Sequence, residues 1–388
     1  MFLVAPTYGC APKARFPVAR RWPDLVADLG RPSLRIAMSD HLLGVEPLGV
    51  SAIGVGLREA RAASTTQAAP IMLDVGANVG AYATIAAALG ARVLAVEMQP
   101  GCMPAIECHL AANNVSATIL NRYVTSLAEA APIAVPLHGC GVMTSPTAVV
   151  GRWPHGMPQK ATRRFEAQSD AERANTSRQV APIDLGSDPA VRDVLGAGNG
   201  RTDGRGRIML KIDTEGFEIR VLQSLRPLWS ELGLVMLELQ PAAWRFSNIS
   251  LDVGVGTLRE LLASNGYAVV TLPHAQPNEP GPARIDLCAL WRGREASEAP
   301  QSAILRDLNP AAQRNRGGLN SSRLHDGAAL LAFASAMHRH PGRYGWFHEV
   351  LLVPRATLER CSAAARLPAH QPPPLRLQER KRTAHRIH

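Results

Sequence analysis

The chain has 388 residues, 46% of them hydrophobic, which is enough for one large α/β domain with appendages or for two small domains. Its net charge of +10 raises nucleic acid as a partner, but the cations are spread over termini and loops without an aromatic-interleaved basic motif, so a nucleic-acid partner is not expected. No apolar run approaches the roughly 18 residues of a membrane span, which excludes a transmembrane segment of the helical kind.

Residues 1–70 read as an entry segment, partly disordered, with a helix near Trp22 to Leu29 and a short strand near Ser33 to Ala37. Met1 to Val4 is too short for a signal sequence. Lys13, Arg15, Arg20 and Arg21 precede the first acid, Asp24, which leaves organellar import open beside a cytoplasmic location. The six cysteines (10, 102, 108, 140, 288 and 361) show no metal-ligand spacing and read as buried thiols of a reduced protein.

Residues 71–97, IMLDVGANVGAYATIAAALGARVLAVE, read as strand, glycine turn, helix and strand. A βαβ unit with glycine at its first turn is where a doubly wound sheet binds an adenosine-type cofactor. Glu97 closes the second strand, where it can accept hydrogen bonds from a ribose. A dinucleotide fingerprint needs a glycine two positions after Gly76, so that backbone can approach a pyrophosphate. Asn78 stands there instead, and Asp74 adds a carboxylate at the strand end. S-adenosylmethionine, with a ribose, no phosphate, a sulfonium and an ammonium, suits this turn better than NAD.

A helix over 101–112 and a strand over Ala117 to Leu120 follow, ending at Asn121. Residues 126–207 form a long insert of Pro, Gly, Arg and Ser clusters, with one short strand near Val180 to Leu185. The second informative stretch is Arg207 to Ile212, an apolar strand that ends in Asp213, Glu215 and Gly216. A helix over 217–229, a strand over Gly233 to Leu239 with Glu238 near its end, a helix over Leu258 to Asn265 and a strand over Tyr267 to Leu272 continue the alternation. Strand ends at 74, 97, 121, 213 and 238 then open on one edge, where an open parallel sheet holds its ligand.

Asp74-Val-Gly76-Ala-Asn78-Val-Gly80 with Glu97-Met-Gln-Pro100, His109-Leu-Ala-Ala-Asn113-Asn114, and Lys211-Ile-Asp213-Thr-Glu215-Gly216-Phe-Glu218 together resemble the FkbM-type S-adenosylmethionine-dependent methyltransferases, over about residues 71–272. The resemblance implies a Rossmann-like class I methyltransferase fold, α/β, with a mostly parallel, seven-stranded, doubly wound sheet whose last strand is antiparallel. Ile285 to Trp291 or Phe347 to Val353 supplies that strand. The second is preferred, because a helix over Gly327 to His338 precedes it. The methyltransferase domain then spans 71–361, and 362–388 is a disordered basic tail. Tyr123 departs from the small residues the family usually places beside the adenine.

The resemblance implies a cofactor site of Asp74, Gly76, Asn78, Gly80, Glu97 and Asn121, and methylation of a hydroxyl on a sugar, lipid or secondary metabolite. Methyl transfer is alignment work, and a hydroxyl acceptor also needs a base. Asp213, Glu215 and Glu238 are the candidates, with Lys211 orienting the first two. Each carboxylate has a plainer reading, as a cap on helix N-terminal amides. His109 is expected on a helix surface, and His274 in a loop. No Asp-Asp-Asn constellation that would hold Mg²⁺ is evident, so no metal is expected. An NAD-dependent oxidoreductase and a catalytically inactive adenosine-binding scaffold are the rival readings.

Overall fold

The computed structural model describes residues 15–16, 18, 22–31, 33–36, 46–63, 69–125, 131–137, 140, 177–195, 206–272, 284–294, 324–340 and 348–366. Lys13, Arg20, Arg21, His138, His155, His274, most of the 126–207 insert and the basic run at 380–386 lie outside the described residues.

The main sheet is built from β1 (Ile71–Val75), β2 (Arg92–Val96), β3 (Thr118–Leu120), β4 (Ile208–Ile212), β5 (Leu232–Leu239), β6 (Tyr267–Leu272), β7 (Leu324–His325) and β8 (His348–Pro354). Their spatial order is β3-β2-β1-β4-β5-β8-β6-β7. The first five are mutually parallel, while β8 runs antiparallel to both β5 and β6. The sheet therefore has eight strands rather than the expected seven, and two of them run against the rest. The additional strand is the two-residue β7, antiparallel to β6 at the edge, which is too short to leave a hydrophobic pattern in the sequence. The segment Ile285 to Trp291 falls largely in a helix, Leu287–Arg294, and β8 takes the antiparallel position.

Strand β1 (IMLDV) and strand β4 (IMLKI) are buried at every position, as central parallel strands covered on both faces must be. Period-two alternation divides their side chains between two cores. Met72, Val93, Ala95, Met209 and Met236 face one core with Ile53 of helix α1 (Pro47–Ala63), Ile85 of α2 (Ala81–Ala88) and Ile106 of α3 (Met103–Ala112). Leu73, Leu94, Leu210 and Val235 face the other with Leu222 of α4 (Glu218–Ser224), Leu258 of α5 (Leu251–Ser264) and Phe333 of α6 (Gly327–Arg339). Helix α4 is shorter than the sequence pattern suggests. Pro227 has no N–H to continue the ladder, and the chain tightens into a 3-10 segment, Arg226–Glu231. Strand order reverses between β1 and β4, so the carboxyl ends of these two strands flank the crevice.

The reading of the cysteines as buried thiols is corrected. Cys102 is bonded to Cys140 and Cys288 to Cys361, Cys108 is also disulfide-bonded, and no cysteine is free among the described residues. These pairs are 38 and 73 residues apart in sequence but only 4.6 and 5.0 Å apart between Cα atoms, a proximity that only the fold creates. Alkylation under denaturing, non-reducing conditions followed by peptide mapping should leave the five described cysteines, 102, 108, 140, 288 and 361, unmodified. Replacing Cys288 and Cys361 by serine should lower the unfolding free energy in urea by about 2–4 kcal/mol.

Candidate functional site

The turn after β1 is built so that three backbones meet. Gly76 has φ 79°, and its N–H donates to the Val96 carbonyl at 2.9 Å. A Cβ at Gly76 would stand 1.7 Å from the carbonyl oxygen of Asp213, so only glycine allows β1 and β4 to end side by side. Asn78 holds the left-handed region at φ 52°, which asparagine tolerates better than most side chains. Its N–H donates to Glu97 Oε2 at 2.7 Å, and the Gln99 N–H donates to Glu97 Oε1 at 2.8 Å. Burial pushes the Glu97 carboxyl up, and these two backbone donors pull it back down. Asn121 Nδ2 donates to the carbonyls of Glu97 and Met98 at 2.9 and 3.0 Å, which fixes the loop that carries Glu97. His109 is buried rather than on the helix surface, and its Nδ1 lies 2.7 Å from the Val79 carbonyl. Tyr123 is buried as well, with its hydroxyl donating to the Ala131 carbonyl.

Lys211 joins this turn to the next strand end. Its ammonium donates to the Gly76 carbonyl at 2.9 Å and to Asp213 Oδ2 at 3.2 Å, and lies 3.5 Å from Asp74 Oδ1. It also sits 5.5 Å above the Tyr82 ring. Burial works against its charge, yet Asp213, Asp74 and Glu46 outweigh that and hold it protonated. Asp74 is wholly buried, and burial raises its carboxyl against the pull of Lys211. Register accounts for the grouping, because Asp74 and Lys211 are direct partners in the β1–β4 ladder and so share one face.

Beyond Lys211 the site is acidic. Asp213, Glu215 and Glu238 each offer a carboxylate oxygen, and these oxygens all lie within 4.8 Å of one another. Glu215 stands at φ 53°, with Gln240 Nε2 donating to its Oε2 at 2.7 Å. Burial and the nearby Asp213 charge push its carboxyl up to about 8. Burial does the same to Glu238, helped by Asp213, and leaves it well above the usual range. Glu218 turns away from this group and accepts from Gly216 N–H at 2.5 Å and Trp244 Nε1–H at 3.1 Å.

The sequence reading missed Glu349, Glu46 and Tyr82. Glu349 is the direct ladder partner of Glu238 and is only 6% exposed. Glu46 precedes α1 and accepts from the Tyr82 hydroxyl at 2.9 Å. The available signal for Glu349 was an acid inside the apolar run His348–Pro354.

Residues 74–269, just over half of the chain, match the family model described as Methyltransferase FkbM domain. No curated protein matches the chain. Among solved structures, precorrin-6Y C5,15-methyltransferase from Geobacter metallireducens GS-15 is similar over 56% of this chain and 71% of its own, at 14% identity and a TM-score of 0.25. At that score the likeness carries no argument.

Lys211→Met would leave Asp74 as a buried charge without its partner. The variant should lose about 3–5 kcal/mol of stability in urea denaturation, and the double variant with Asp74→Leu should recover part of the loss.

Proposed function

This chain belongs to the FkbM methyltransferase family, and we propose that it transfers a methyl group from S-adenosylmethionine to a hydroxyl on a sugar, lipid or secondary metabolite. The observation that carries this reading is the placement of Glu97 and Asp213 on either side of Gly76 at one sheet edge. Each Glu97 oxygen accepts one backbone N–H and keeps a lone pair for a ribose hydroxyl. Gly76, Asn78 and Gly80 shape the turn against the ligand, and Asn121 holds its far wall. Asp74 supplies negative charge beneath the turn, which suits a cationic cofactor and not a pyrophosphate.

When bound, the cofactor supplies an electrophilic methyl group on a sulfonium. The remaining chemistry falls to the strand-end carboxylates. Asp213, fixed by Lys211, takes the proton of the acceptor hydroxyl, while Glu215 and Glu238 orient the acceptor. Within the entry segment, α1 covers the sheet face of Asp74 and Lys211, and Glu46 at its start accepts from Tyr82 on that face. In sequence, the 126–207 insert separates β3 from β4. Among the described residues no helix is long and apolar enough to cross a membrane. Paired cysteines favour maturation in an oxidising compartment over the cytoplasm.

Calorimetric titration with S-adenosylmethionine, its demethylated product and NAD tests the cofactor. Micromolar binding of the first two should be lost in Glu97→Ala and Gly76→Val, and binding of NAD instead would overturn the reading. With an acceptor in hand, Asp213→Asn should slow methyl transfer by at least about 100-fold. Undiminished turnover in both Asp213→Asn and Glu215→Gln would remove these residues from the mechanism.

A further inference from the structure

Four charged side chains lie, as two pairs, on the sheet face that α1 and α2 cover. Asp74 on β1 is opposite Lys211 on β4, and Glu238 on β5 is opposite Glu349 on β8. Each alternates with residues that face the other core, such as Leu73, Leu210, Leu237 and Val350. Asp213 and Glu215 enter the same space from the loop after β4. Five carboxylates thus converge, and the cation that the described residues set among them is Lys211. Its ammonium is already committed to Gly76, Asp213 and Asp74.

Two of the carboxylates beyond its reach, Glu238 and Glu349, are short of donors among the described residues. Glu349 is 6% exposed, and no described residue donates a hydrogen bond to its carboxylate. Its charge acts directly on Asp213 and Lys211, which places it toward the group. Glu238 Oε2 is likewise buried without a hydrogen-bond partner. Leaving such groups uncompensated in a low-dielectric site is costly, and a positive ligand removes that cost.

We infer that Asp213, Glu215 and Glu238 bind one hard divalent cation, with Glu349, the ladder partner of Glu238, adding negative charge behind it. The dimensions suit this. Oxygens on opposite sides of a calcium ion are about 4.6–5.2 Å apart, and the three ligand oxygens lie within 4.8 Å of one another. The donor set is all oxygen, which selects Mg²⁺, Ca²⁺ or Mn²⁺ over softer metals. Asp213, Glu215 and Glu238 are each only partly buried, so the ion has a way in and keeps coordination positions for water or an acceptor oxygen. The site deepens the methyltransferase reading and rests on it for its purpose, since an acceptor hydroxyl bound to the ion would lose its proton more readily.

The test needs no methyl transfer. The full chain, stripped with EDTA, is titrated calorimetrically with MgCl2, CaCl2 and MnCl2, and Mn²⁺ binding is followed independently by its paramagnetic resonance signal. One saturable site is expected. It should weaken at least about tenfold in Glu238→Gln and by about 10–100-fold in Glu349→Gln, and stay unchanged in Glu260→Gln, whose partner Arg226 lies on the exterior. Circular dichroism and S-adenosylmethionine binding show whether each variant is folded. A folded wild-type chain that binds S-adenosylmethionine but no cation overturns the ion site and leaves the methyltransferase reading standing. Cation binding without cofactor binding does the reverse. Binding that persists unchanged in both Glu238→Gln and Glu349→Gln also overturns the assignment.

Discussion

The contact on which the rest of the structure depends is the approach of two backbones, Gly76 to Asp213, sealed by the Lys211 ammonium. A Cβ at residue 76 would stand 1.7 Å from the Asp213 oxygen, and the same glycine's carbonyl accepts from Lys211. The glycine motif after β1 and the K-I-D-x-E-G motif after β4 are therefore one structural unit. They are 135 residues apart in sequence, yet each is malformed without the other. The strand order reverses at this place, so the carboxyl ends of β1 and β4 flank the crevice.

That unit has an electrostatic cost that shapes its surroundings. Lys211 is buried and serves two aspartates, and the neighbouring glutamates share little of its charge. Glu218 has found its donors in Gly216 and Trp244, whereas Glu238 Oε2 is buried without one among the described residues. Groups held in this condition are tuned for something that arrives from outside.

Much of the frame was legible in the sequence. Strands β1, β2, β4, β5 and β6 lie where apolar runs placed them, since residues buried on both faces leave unbroken hydrophobic stretches. The strand ends at 74, 97, 121, 213 and 238 open on one edge for the same reason. What the sequence hid depends on register and on long-range contact. Glu349 carries no motif, and it joins the site only because β8 slides antiparallel beside β5 with Glu238 opposite. The cysteines read as thiols because spacing says nothing about which helices and loops will meet. The asparagine at 113 reads as a helix end, but it also binds both backbone groups of Arg35 and so anchors the segment before the sheet.

The position of β8 has a consequence for how the chain assembles. Strands β5 and β6 touch only through it, although β6 is finished some 76 residues before β8 begins (272 to 348). Until β8 is made, β6 has no ladder neighbour on its β5 side and β5 keeps an open edge. Such edges recruit other chains, and pairing over long sequence separation is slow. The last strand to arrive closes the sheet and delivers Glu349 in the same step, so the crevice gains its full charge only when the fold is complete.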